Sequence, residues 1–374
     1  MSKLHELFEL QGQSPWLDNL RREWLLSGEI QAWIDAGVRG ITSNPSIFQK
    51  AIESSEAYTE QLAELVAQGA SVEDSYWSLV LQDIESALSL LRPIFDESNG
   101  GDGFVSLEVS PLLAHDTLGT KTQARSLWSR VNEPNLLIKI PATLGGLEAI
   151  SGMTAEGISV NVTLIFSLER YASVMESYIS GLEQALLTGE TDLSHISSVG
   201  SFFISRVDTE VDRRLMTLGT PEAMALRGTA AVTQGQLAFA AFAETFDGPR
   251  WERLAAHGAR VQRPLWASTS AKSPDLPDTL YVDSLIGPDS VNTLPDATLL
   301  AFQDHGTVLR TVDVDVAEAR RHWERLGNFV DLEDVARVLE AEGVMAFERS
   351  FVELLDVLRV RCEALTSEMV RNLN

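Results

Sequence analysis

Strand-like segments alternate with amphipathic helical segments along most of the chain, and this alternation constrains the fold more than any other feature of the sequence. Repeated βα units predict a parallel sheet, and eight of them predict a closed (β/α)8 barrel, a fold that takes about 250 residues in its simplest form. We therefore predict an α/β fold of the TIM-barrel type over residues 12–306. The eight predicted strands are Ser14–Asp18, Gly37–Asn44, Phe104–Val109, Leu136–Ile140, Ile158–Leu164, Ser197–Ile204, Pro264–Ser268 and Leu280–Ile286.

The chain that follows the last predicted strand, Pro295–Asn374, has an almost entirely helical pattern with a break at Leu326–Phe329. No linker rich in Pro, Gly or Ser separates it from the barrel. We therefore predict a single domain over residues 1–374, with the barrel at 12–306 and a packed helical extension at 307–374. The main predicted helical segments of the barrel are Leu20–Trp33, Glu56–Leu91, Gly119–Val131, Gly145–Glu156, Leu168–Leu187 and Pro221–Phe246.

The acidic balance of the chain argues against two classes of partner. Its 374 residues carry a formal net charge of −25, which opposes binding to nucleic acid and to anionic membranes. The N-terminus lacks the apolar core of a signal peptide, and no stretch approaches the roughly 18 apolar residues of a membrane span. One cysteine, Cys362, allows no intramolecular disulfide. We expect a soluble cytoplasmic protein, and the sequence leaves open whether it is a monomer or a homodimer.

Motifs of several common cofactor and hydrolase sites are missing from the sequence. It contains neither G-x-x-x-x-G-K-[ST] nor G-x-S-x-G. The glycine-rich stretch Gly100–Gly103 precedes a predicted strand, whereas a dinucleotide-binding loop follows one. The six histidines are scattered without metal-ligand spacing. We therefore predict no cofactor and no metal site.

Lys139 stands inside an apolar, β-branched segment that otherwise has the pattern of a buried strand. Lysine is rarely buried without a partner or a function, and burial in general favours the neutral amine, which can attack a carbonyl carbon. The alternative is a lysine at the end of a strand whose ammonium group reaches solvent. Taken alone, Lys139 favours the second interpretation. The polar residues at the ends of the other predicted strands reverse that preference.

Polar side chains follow most of the predicted strands at the point where each strand ends, and these ends form the active-site face of a barrel. Each has a simpler interpretation. Asp18 could cap the next helix, Asn44 could begin a helix, Glu108 could neutralise Lys139, and Arg206 could pair with a nearby acid. Their convergence on one rim instead indicates Schiff-base chemistry on a sugar. The converging side chains are Asp18, Thr42, Asn44, Glu108, Lys139, Asn161, Thr163, Ser201, Arg206, Ser268 and Lys272.

Five segments together resemble the signature segments of the transaldolase family, and the resemblance runs from about Gly12 to Gly306. The chain looks most similar to the longer bacterial branch of the family, which carries a C-terminal helical extension. The segments are Gly40–Ser46 (GITSNPS), Ser106–Val109 (SLEV), Leu137–Thr143 (LIKIPAT), Gly157–Ser167 (GISVNVTLIFS) and Ser201–Arg206 (SFFISR).

The resemblance implies a role for each site residue in transferring dihydroxyacetone from a ketose phosphate to an aldose phosphate, within the non-oxidative pentose phosphate pathway. Lys139 would form the Schiff base, and Asp18 would move the proton of the C4 hydroxyl. Glu108 and Thr163, with a water molecule, would shuttle protons during imine formation and hydrolysis. The remaining residues would bind substrate: Asn44, Asn161, Thr42 and Ser201 the dihydroxyacetone unit, and Arg206, Ser268 and Lys272 the phosphate.

Three other functions stay open at this stage. A fructose-6-phosphate aldolase would use the same lysine and release free dihydroxyacetone. A catalytically inactive barrel would serve as a binding protein, although the intact set of site residues argues against it. A metal-dependent aldolase would need a cluster of histidines, which the sequence lacks. Sugar phosphates are the predicted partners in the two lysine-dependent cases.

Overall fold

The computed structural model describes residues 2–373, so that Met1 and Asn374, the two ends of the predicted domain, lie outside the described residues. Within residues 2–373, eight parallel strands close into a barrel in the order β1 to β8. The predicted (β/α)8 fold is therefore confirmed. The strands are β1 (Gln13–Leu17), β2 (Gly40–Thr42), β3 (Phe104–Glu108), β4 (Leu136–Pro141), β5 (Val160–Ile165), β6 (Ser198–Phe203), β7 (Arg263–Ala267) and β8 (Ser290–Leu294).

Helices surround the barrel and fill most of the chain between and after the strands. The segment after β8 is largely helical, as predicted, and its break falls at Gly327. The helices are α1 (Lys3–Gln11), α2 (Arg22–Ser27), α3 (Glu29–Asp35), α4 (Pro45–Ser54), α5 (Thr59–Ala67), α6 (Val72–Glu97), α7 (Thr117–Val131), α8 (Leu144–Ala155), α9 (Leu168–Leu187), α10 (Ser205–Leu218), α11 (Pro221–Met224), α12 (Ala230–Thr245), α13 (Pro249–Ala255), α14 (Leu280–Asp283), α15 (Asp296–His305), α16 (Val316–Gly327) and α17 (Leu332–Leu373).

The predicted eighth strand is wrong. Residues 280–286 begin with the short helix α14, because their buried apolar residues recur at helical spacing, as Tyr281, Val282, Leu285 and Ile286 do. The strand that closes the barrel is β8, whose sequence SVNTL alternates too little in polarity to be recognised. Its polar side chains are buried in the closed barrel, where neighbouring elements supply their hydrogen-bond partners.

The register of the central strands brings the chemically important side chains to one level of the barrel. Glu108 on β3 pairs with Lys139 on β4, and Lys139 pairs with Asn161 on β5. Side chains alternate between the two faces of a strand, and paired residues of neighbouring strands share a face. The three polar side chains therefore enter the interior at adjacent positions, while Ile138 and Ile140 pack towards the helices.

A buried polar cluster closes the amino end of the barrel. Asp102 accepts hydrogen bonds from Trp16 Nε1 at 2.9 Å and Arg39 Nε at 2.9 Å, and it also accepts one from the Ser14 hydroxyl. The Trp16 ring lies so close to Gly40 that a Cβ atom there would come within 2.5 Å of it, so this position requires glycine. Buried side chains fill this end of the barrel, so a ligand would enter from the opposite end.

The long helix α17 packs across the barrel against α4, α6 and α10. Its buried face includes Val344, Phe347, Phe351, Leu354 and Leu358. Between residues 2 and 373, no helix has the length and apolar character needed to cross a membrane.

Candidate active site

A cavity of about 360 Å³ opens at the carboxyl end of the barrel strands. Nine of the eleven side chains predicted from the sequence line it. The other two, Glu108 and Asn161, lie directly behind the lining, next to Lys139 and Ser201 respectively. The strand ends therefore bring the whole predicted set together. The nine lining residues are Asp18, Thr42, Asn44, Lys139, Thr163, Ser201, Arg206, Ser268 and Lys272.

Lys139 points from β4 into the floor of the cavity and is only 4% exposed. Its Nζ donates a hydrogen bond to the backbone oxygen of Ser43 at 3.1 Å and lies 3.5 Å from Glu108 Oε2. That second distance exceeds the 2.7–2.9 Å typical of a strong charge-assisted hydrogen bond. The amine is therefore buried and oriented, with a carboxyl group near it but not tightly paired to it.

Glu108 is a carboxyl group that burial makes a weak acid. Burial raises its pKa to about 7, and the nearby Lys139 only partly opposes this effect. A group with such a pKa can donate and accept a proton near neutral pH. The alternative interpretation, in which Glu108 only neutralises Lys139, does not account for this raised pKa.

Asp18 is the second carboxyl group of the site; it lies one residue beyond β1 and is partly exposed to the cavity. It accepts a hydrogen bond from Thr42 Oγ1 at 2.8 Å, and that hydroxyl also lies 2.6 Å from Thr293 Oγ1. Burial raises the pKa of Asp18, and Lys139 is the main opposing influence. Asp18 does not cap the helix that follows, since α2 begins after Arg21 without a side-chain cap. Its orientation is instead set by Thr42 and points it into the cavity.

A hydrogen-bonded row of amide and hydroxyl groups forms the wall on the β3, β5 and β6 side. Asn161 Nδ2 donates to Ser106 Oγ at 2.9 Å, and Ser201 Oγ donates to Asn161 Oδ1 at 2.7 Å. Thr163 Oγ1 is buried and has no hydrogen-bond partner among the described residues. Because Leu164 adopts a left-handed conformation (φ 60°), the β5–β6 pairing shifts register directly after Thr163. The hydroxyl of Thr163 is thus held at a bulge, where it is available to a bound molecule.

Asn44 combines the two functions that its sequence position suggested. Its Oδ1 accepts a hydrogen bond from the backbone N–H of Ile47 at 3.1 Å and so caps α4, with Pro45 as the first helical residue. The side chain also lines the cavity. Its Nδ2 group remains free to donate, because the cap uses only the oxygen.

Basic side chains surround the outer part of the cavity. Three of the five lysines in the chain, Lys50, Lys139 and Lys272, line it, together with Arg21 and Arg206. Burial lowers the pKa of Lys272, and Arg206 nearby adds to the effect. Burial also lowers the pKa of Arg206. Such a cluster in a strongly acidic protein is suited to an anion.

The ion pair of Arg206 with a nearby acid, which was the alternative interpretation of this residue, is not formed. Glu210 pairs instead with Arg213 and Arg214, at 2.7 Å in both cases. Within residues 2–373, no carboxylate oxygen lies within 4.0 Å of the Arg206 guanidinium. Its charge is available to a ligand in the cavity.

Four of the lining residues that were not predicted from the sequence are Lys50, Arg21, Thr293 and Phe347. Lys50 lies on α4, six residues after Asn44, and this proximity could have suggested it. Arg21 could have been found in the same way, three residues after Asp18. Thr293 was missed because β8 was misplaced. Phe347 comes from α17, and no local pattern links it to the barrel rim.

The arrangement can perform Schiff-base chemistry on a phosphorylated carbonyl compound. A buried amine supplies the nucleophile, two carboxyl groups in different surroundings can divide proton transfers, and outer cations can hold a phosphate. Among residues 2–373, no group of three or more His, Cys, Asp or Glu side chains is placed to hold a metal ion.

Comparison with known proteins finds one family and close relatives over nearly the whole chain. The family model described as Transaldolase/Fructose-6-phosphate aldolase matches residues 15–358. The transaldolase of Parafrankia sp. (strain EAN1pec) is 51% identical over 96% of this chain and 98% of its own length. That of Thermobifida fusca (strain YX) is 52% identical over 92% of this chain and 94% of its own length. That of Mycolicibacterium smegmatis is 51% identical over 94% of this chain and 96% of its own length.

Proposed function

This chain belongs to the transaldolase/fructose-6-phosphate aldolase family, and from that premise we propose that it is a transaldolase of the pentose phosphate pathway. It transfers a dihydroxyacetone unit from a ketose phosphate, sedoheptulose 7-phosphate or fructose 6-phosphate, to an aldose phosphate, glyceraldehyde 3-phosphate or erythrose 4-phosphate. The observation that carries the proposal is the buried amine of Lys139, with Asp18 in the same cavity and Glu108 directly behind its lining.

The first step is attack of Lys139 Nζ on the C2 carbonyl carbon of the ketose phosphate. The resulting carbinolamine must lose its hydroxyl as water, and this loss needs an acid. Glu108 supplies the proton, because its raised pKa of about 7 keeps a protonated fraction near neutral pH. The free hydroxyl of Thr163 holds the water that carries the proton.

The second step breaks the C3–C4 bond. Asp18 takes the proton of the C4 hydroxyl, so that the aldose phosphate leaves as an aldehyde while the bond electrons move into the iminium group. This produces an enamine on Lys139. The hydrogen bond from Thr42 keeps the Asp18 carboxylate in place for this transfer.

The retained three-carbon unit is held by the polar wall. Asn44 Nδ2 and the amide of Asn161 donate to its hydroxyl groups, with Thr42 and Ser201 supporting them. An aldose phosphate then binds, and its aldehyde carbon accepts the enamine carbon. Asp18 returns the proton to the new hydroxyl, and water hydrolyses the imine to free Lys139.

The phosphate of either substrate lies among the outer cations. Arg206 supplies a guanidinium group that matches two phosphate oxygens, and Ser268 and Lys272 complete the site from the segment after β7. After burial and Arg206, Lys50 also lowers the pKa of Lys272, so it lies near that lysine and adds a third positive charge beside Arg206 and Lys272. We also propose a cytoplasmic location, since charged sugar phosphates do not cross a bilayer unaided.

Fructose-6-phosphate aldolase is the second candidate, because the family description includes it. The names of the three relatives above favour transaldolase. Product formation from fructose 6-phosphate, with and without erythrose 4-phosphate, separates the two activities. A transaldolase gives sustained turnover to sedoheptulose 7-phosphate and glyceraldehyde 3-phosphate only when the acceptor is present. Comparable turnover without acceptor, with dihydroxyacetone accumulating, would assign the chain to the aldolases.

Borohydride reduction with fructose 6-phosphate tests the nucleophile. The wild-type chain should be trapped as a covalent adduct on Lys139, located by mass spectrometry of its peptides. Lys139→Arg should give neither adduct nor turnover, because a guanidinium group stays protonated and cannot attack a carbonyl. Lys121→Arg is the matched control, since Lys121 lies outside the cavity and pairs with Glu148. An adduct in the Lys139→Arg variant would move the nucleophile to another lysine.

A further inference from the structure

Helix α17 of the C-terminal extension reaches the reacting lysine. Phe347, near the middle of this helix, lines the active-site cavity and is 5% exposed. The centroid of its ring lies 5.9 Å from Lys139 Nζ. The extension therefore supplies part of the cavity wall directly above the atom that carries the substrate.

Three further residues on the same face of α17 contact the elements that hold the site residues. Gly343, Phe347, Ser350 and Phe351 are spaced by four, three and one positions, as one face of a helix requires. Ser350 Oγ lies 2.7 Å from the hydroxyl of Ser46, another residue of the cavity lining.

The other two contacts lie near Glu108 and Thr163. The Phe351 ring packs edge-on against Tyr76, with centroids 5.1 Å apart. Burial raises the pKa of Tyr76, and Glu108 is close enough to raise it further. Gly343 packs on Leu164, the left-handed residue after Thr163, and a Cβ atom on Gly343 would come within 3.0 Å of the Leu164 side chain. One helix face thus lies against Lys139, against Leu164 next to Thr163, and against Tyr76 near Glu108.

The enamine on Lys139 has two competing fates. In transfer, its nucleophilic carbon attacks the acceptor aldehyde, and a new C–C bond forms. In release, the same carbon takes a proton from water or a dissolved acid, which gives an iminium ion. Water then adds to the iminium carbon, the C–N bond breaks, and free dihydroxyacetone leaves with Lys139 restored. Access of water and acids to the enamine carbon decides how often the second path is followed.

We propose that Phe347, held over Lys139 by α17, shields the enamine from solvent and so sets the ratio of transfer to release. This inference rests on the proposed transaldolase function. The ring acts mainly by excluding water, because a centroid distance of 5.9 Å is at the outer limit of a cation–π attraction, roughly 6 Å. An apolar ring at this position also offers no group that could protonate the enamine.

Phe347→Ala tests the proposal by opening the cavity above Lys139. The measurement is the amount of dihydroxyacetone released per molecule of sedoheptulose 7-phosphate formed, from fructose 6-phosphate and erythrose 4-phosphate. We expect this ratio to rise roughly tenfold, which corresponds to about 1.4 kcal/mol in the relative heights of the two barriers. Met345→Ala is the matched control, because Met345 lies on the outer face of the same helix and is 54% exposed. The control should keep the wild-type ratio.

A folded Phe347→Ala variant with an unchanged ratio would overturn the shielding role. Phe347→Leu keeps much of the buried apolar contact and lacks the ring, so it should raise the ratio severalfold, and it decides the question if the alanine variant does not fold. An unchanged ratio in a folded leucine variant would also overturn the proposal. Failure of the transaldolase assignment is recognised separately, in the wild type, by release of dihydroxyacetone as fast as transfer.

Discussion

Two carboxyl groups lie close enough to Lys139 for it to lower the pKa of each, and their surroundings make them chemically different. Glu108 lies behind the cavity beside Lys139, while Asp18 lies at the cavity surface under a hydrogen bond from Thr42. Burial raises the pKa of both, and Lys139 opposes the rise in both. The different positions allow one carboxyl group to serve imine chemistry at nitrogen and the other to serve bond cleavage at C4.

Asp18→Asn keeps the size of the side chain and removes its ability to accept a proton. A general acid or base usually contributes roughly 10²–10⁴-fold to the rate, so kcat for transfer should fall by about that factor. Imine formation with dihydroxyacetone should persist, because it depends on Lys139 and Glu108, and borohydride trapping measures it. A kcat close to that of the wild type would leave Asp18 with a purely structural role.

Glu108→Gln should remove a pH dependence of stability. Burial raises the pKa of Glu108 from its ordinary 4.5 to about 7 in the folded chain. The folded state therefore retains a proton that the unfolded state loses, and the free energy of unfolding falls as the pH rises between these two values. Between about pH 5 and about pH 8, the titration of Glu108 lowers the free energy of unfolding by on the order of 2 kcal/mol. Glutamine does not titrate and avoids this loss.

Urea unfolding at the two pH values measures this effect. The free energy of unfolding of the Glu108→Gln variant, relative to the wild type, should rise between about pH 5 and about pH 8. Glu324→Gln, on the exposed face of α16, is the control and should show no such change. A difference that stays constant with pH would mean that Glu108 titrates in the folded chain as it does in the unfolded one.

At the scale of elements, the two outer lysines come from different segments. The segment between β7 and α14 carries Lys272, whose Nζ donates to Ser270 Oγ at 2.6 Å. Helix α4 carries Lys50 two turns from the cap formed by Asn44. The proposed phosphate site would therefore be assembled from two separate segments, and each would contribute to it independently.

Lys272→Met and Lys50→Met test these two contributions. Methionine keeps the apolar stem and removes the charge, and a hydrogen bond to a charged group is worth about 1.5–3 kcal/mol. Each variant should raise the KM for fructose 6-phosphate by roughly tenfold or more, while trapping of unphosphorylated dihydroxyacetone stays unchanged. Lys121→Met is the control. A raised KM in only one of the two variants would identify the segment that holds the phosphate.

At the scale of the whole molecule, the C-terminal helices cover apolar surface of the barrel that would otherwise face water. Val312, Leu326, Phe351, Leu354 and Leu358 of this region are each at most 1% exposed. Burial of one such side chain contributes about 1.5–3 kcal/mol, so the five together are comparable to the net stability of a typical domain, roughly 5–15 kcal/mol. The single domain over residues 1–374 thus remains our prediction, with the extension as part of the folding unit.

A chain that ends at Gly306 should therefore fail to form a native barrel. Near-ultraviolet circular dichroism should show no fixed aromatic environment in the shortened chain, whereas the full chain should unfold in one cooperative transition. Native near-ultraviolet signal in the shortened chain, or two separate transitions in the full chain, would make the extension an independent unit.

The sequence alone determined the class of fold, the buried lysine at the carboxyl end of the strands and nine of the residues that line the cavity. It did so because these depend on local patterns: apolar periodicity marks strands and helices, and polar residues directly after parallel strands must meet at one end of a barrel. Lys139 was recognised because a charge inside a buried strand conflicts with its surroundings.

Only the tertiary structure decided the features that depend on contacts between distant segments. The polar strand β8 exists because neighbours across the closed barrel satisfy its side chains, so its own pattern did not reveal it. The raised pKa of Glu108 requires burial that no single segment provides. Phe347 reaches Lys139 because the packing of α17 against α4 and α6 places it there, and helical periodicity shows that a face is buried without showing what it covers.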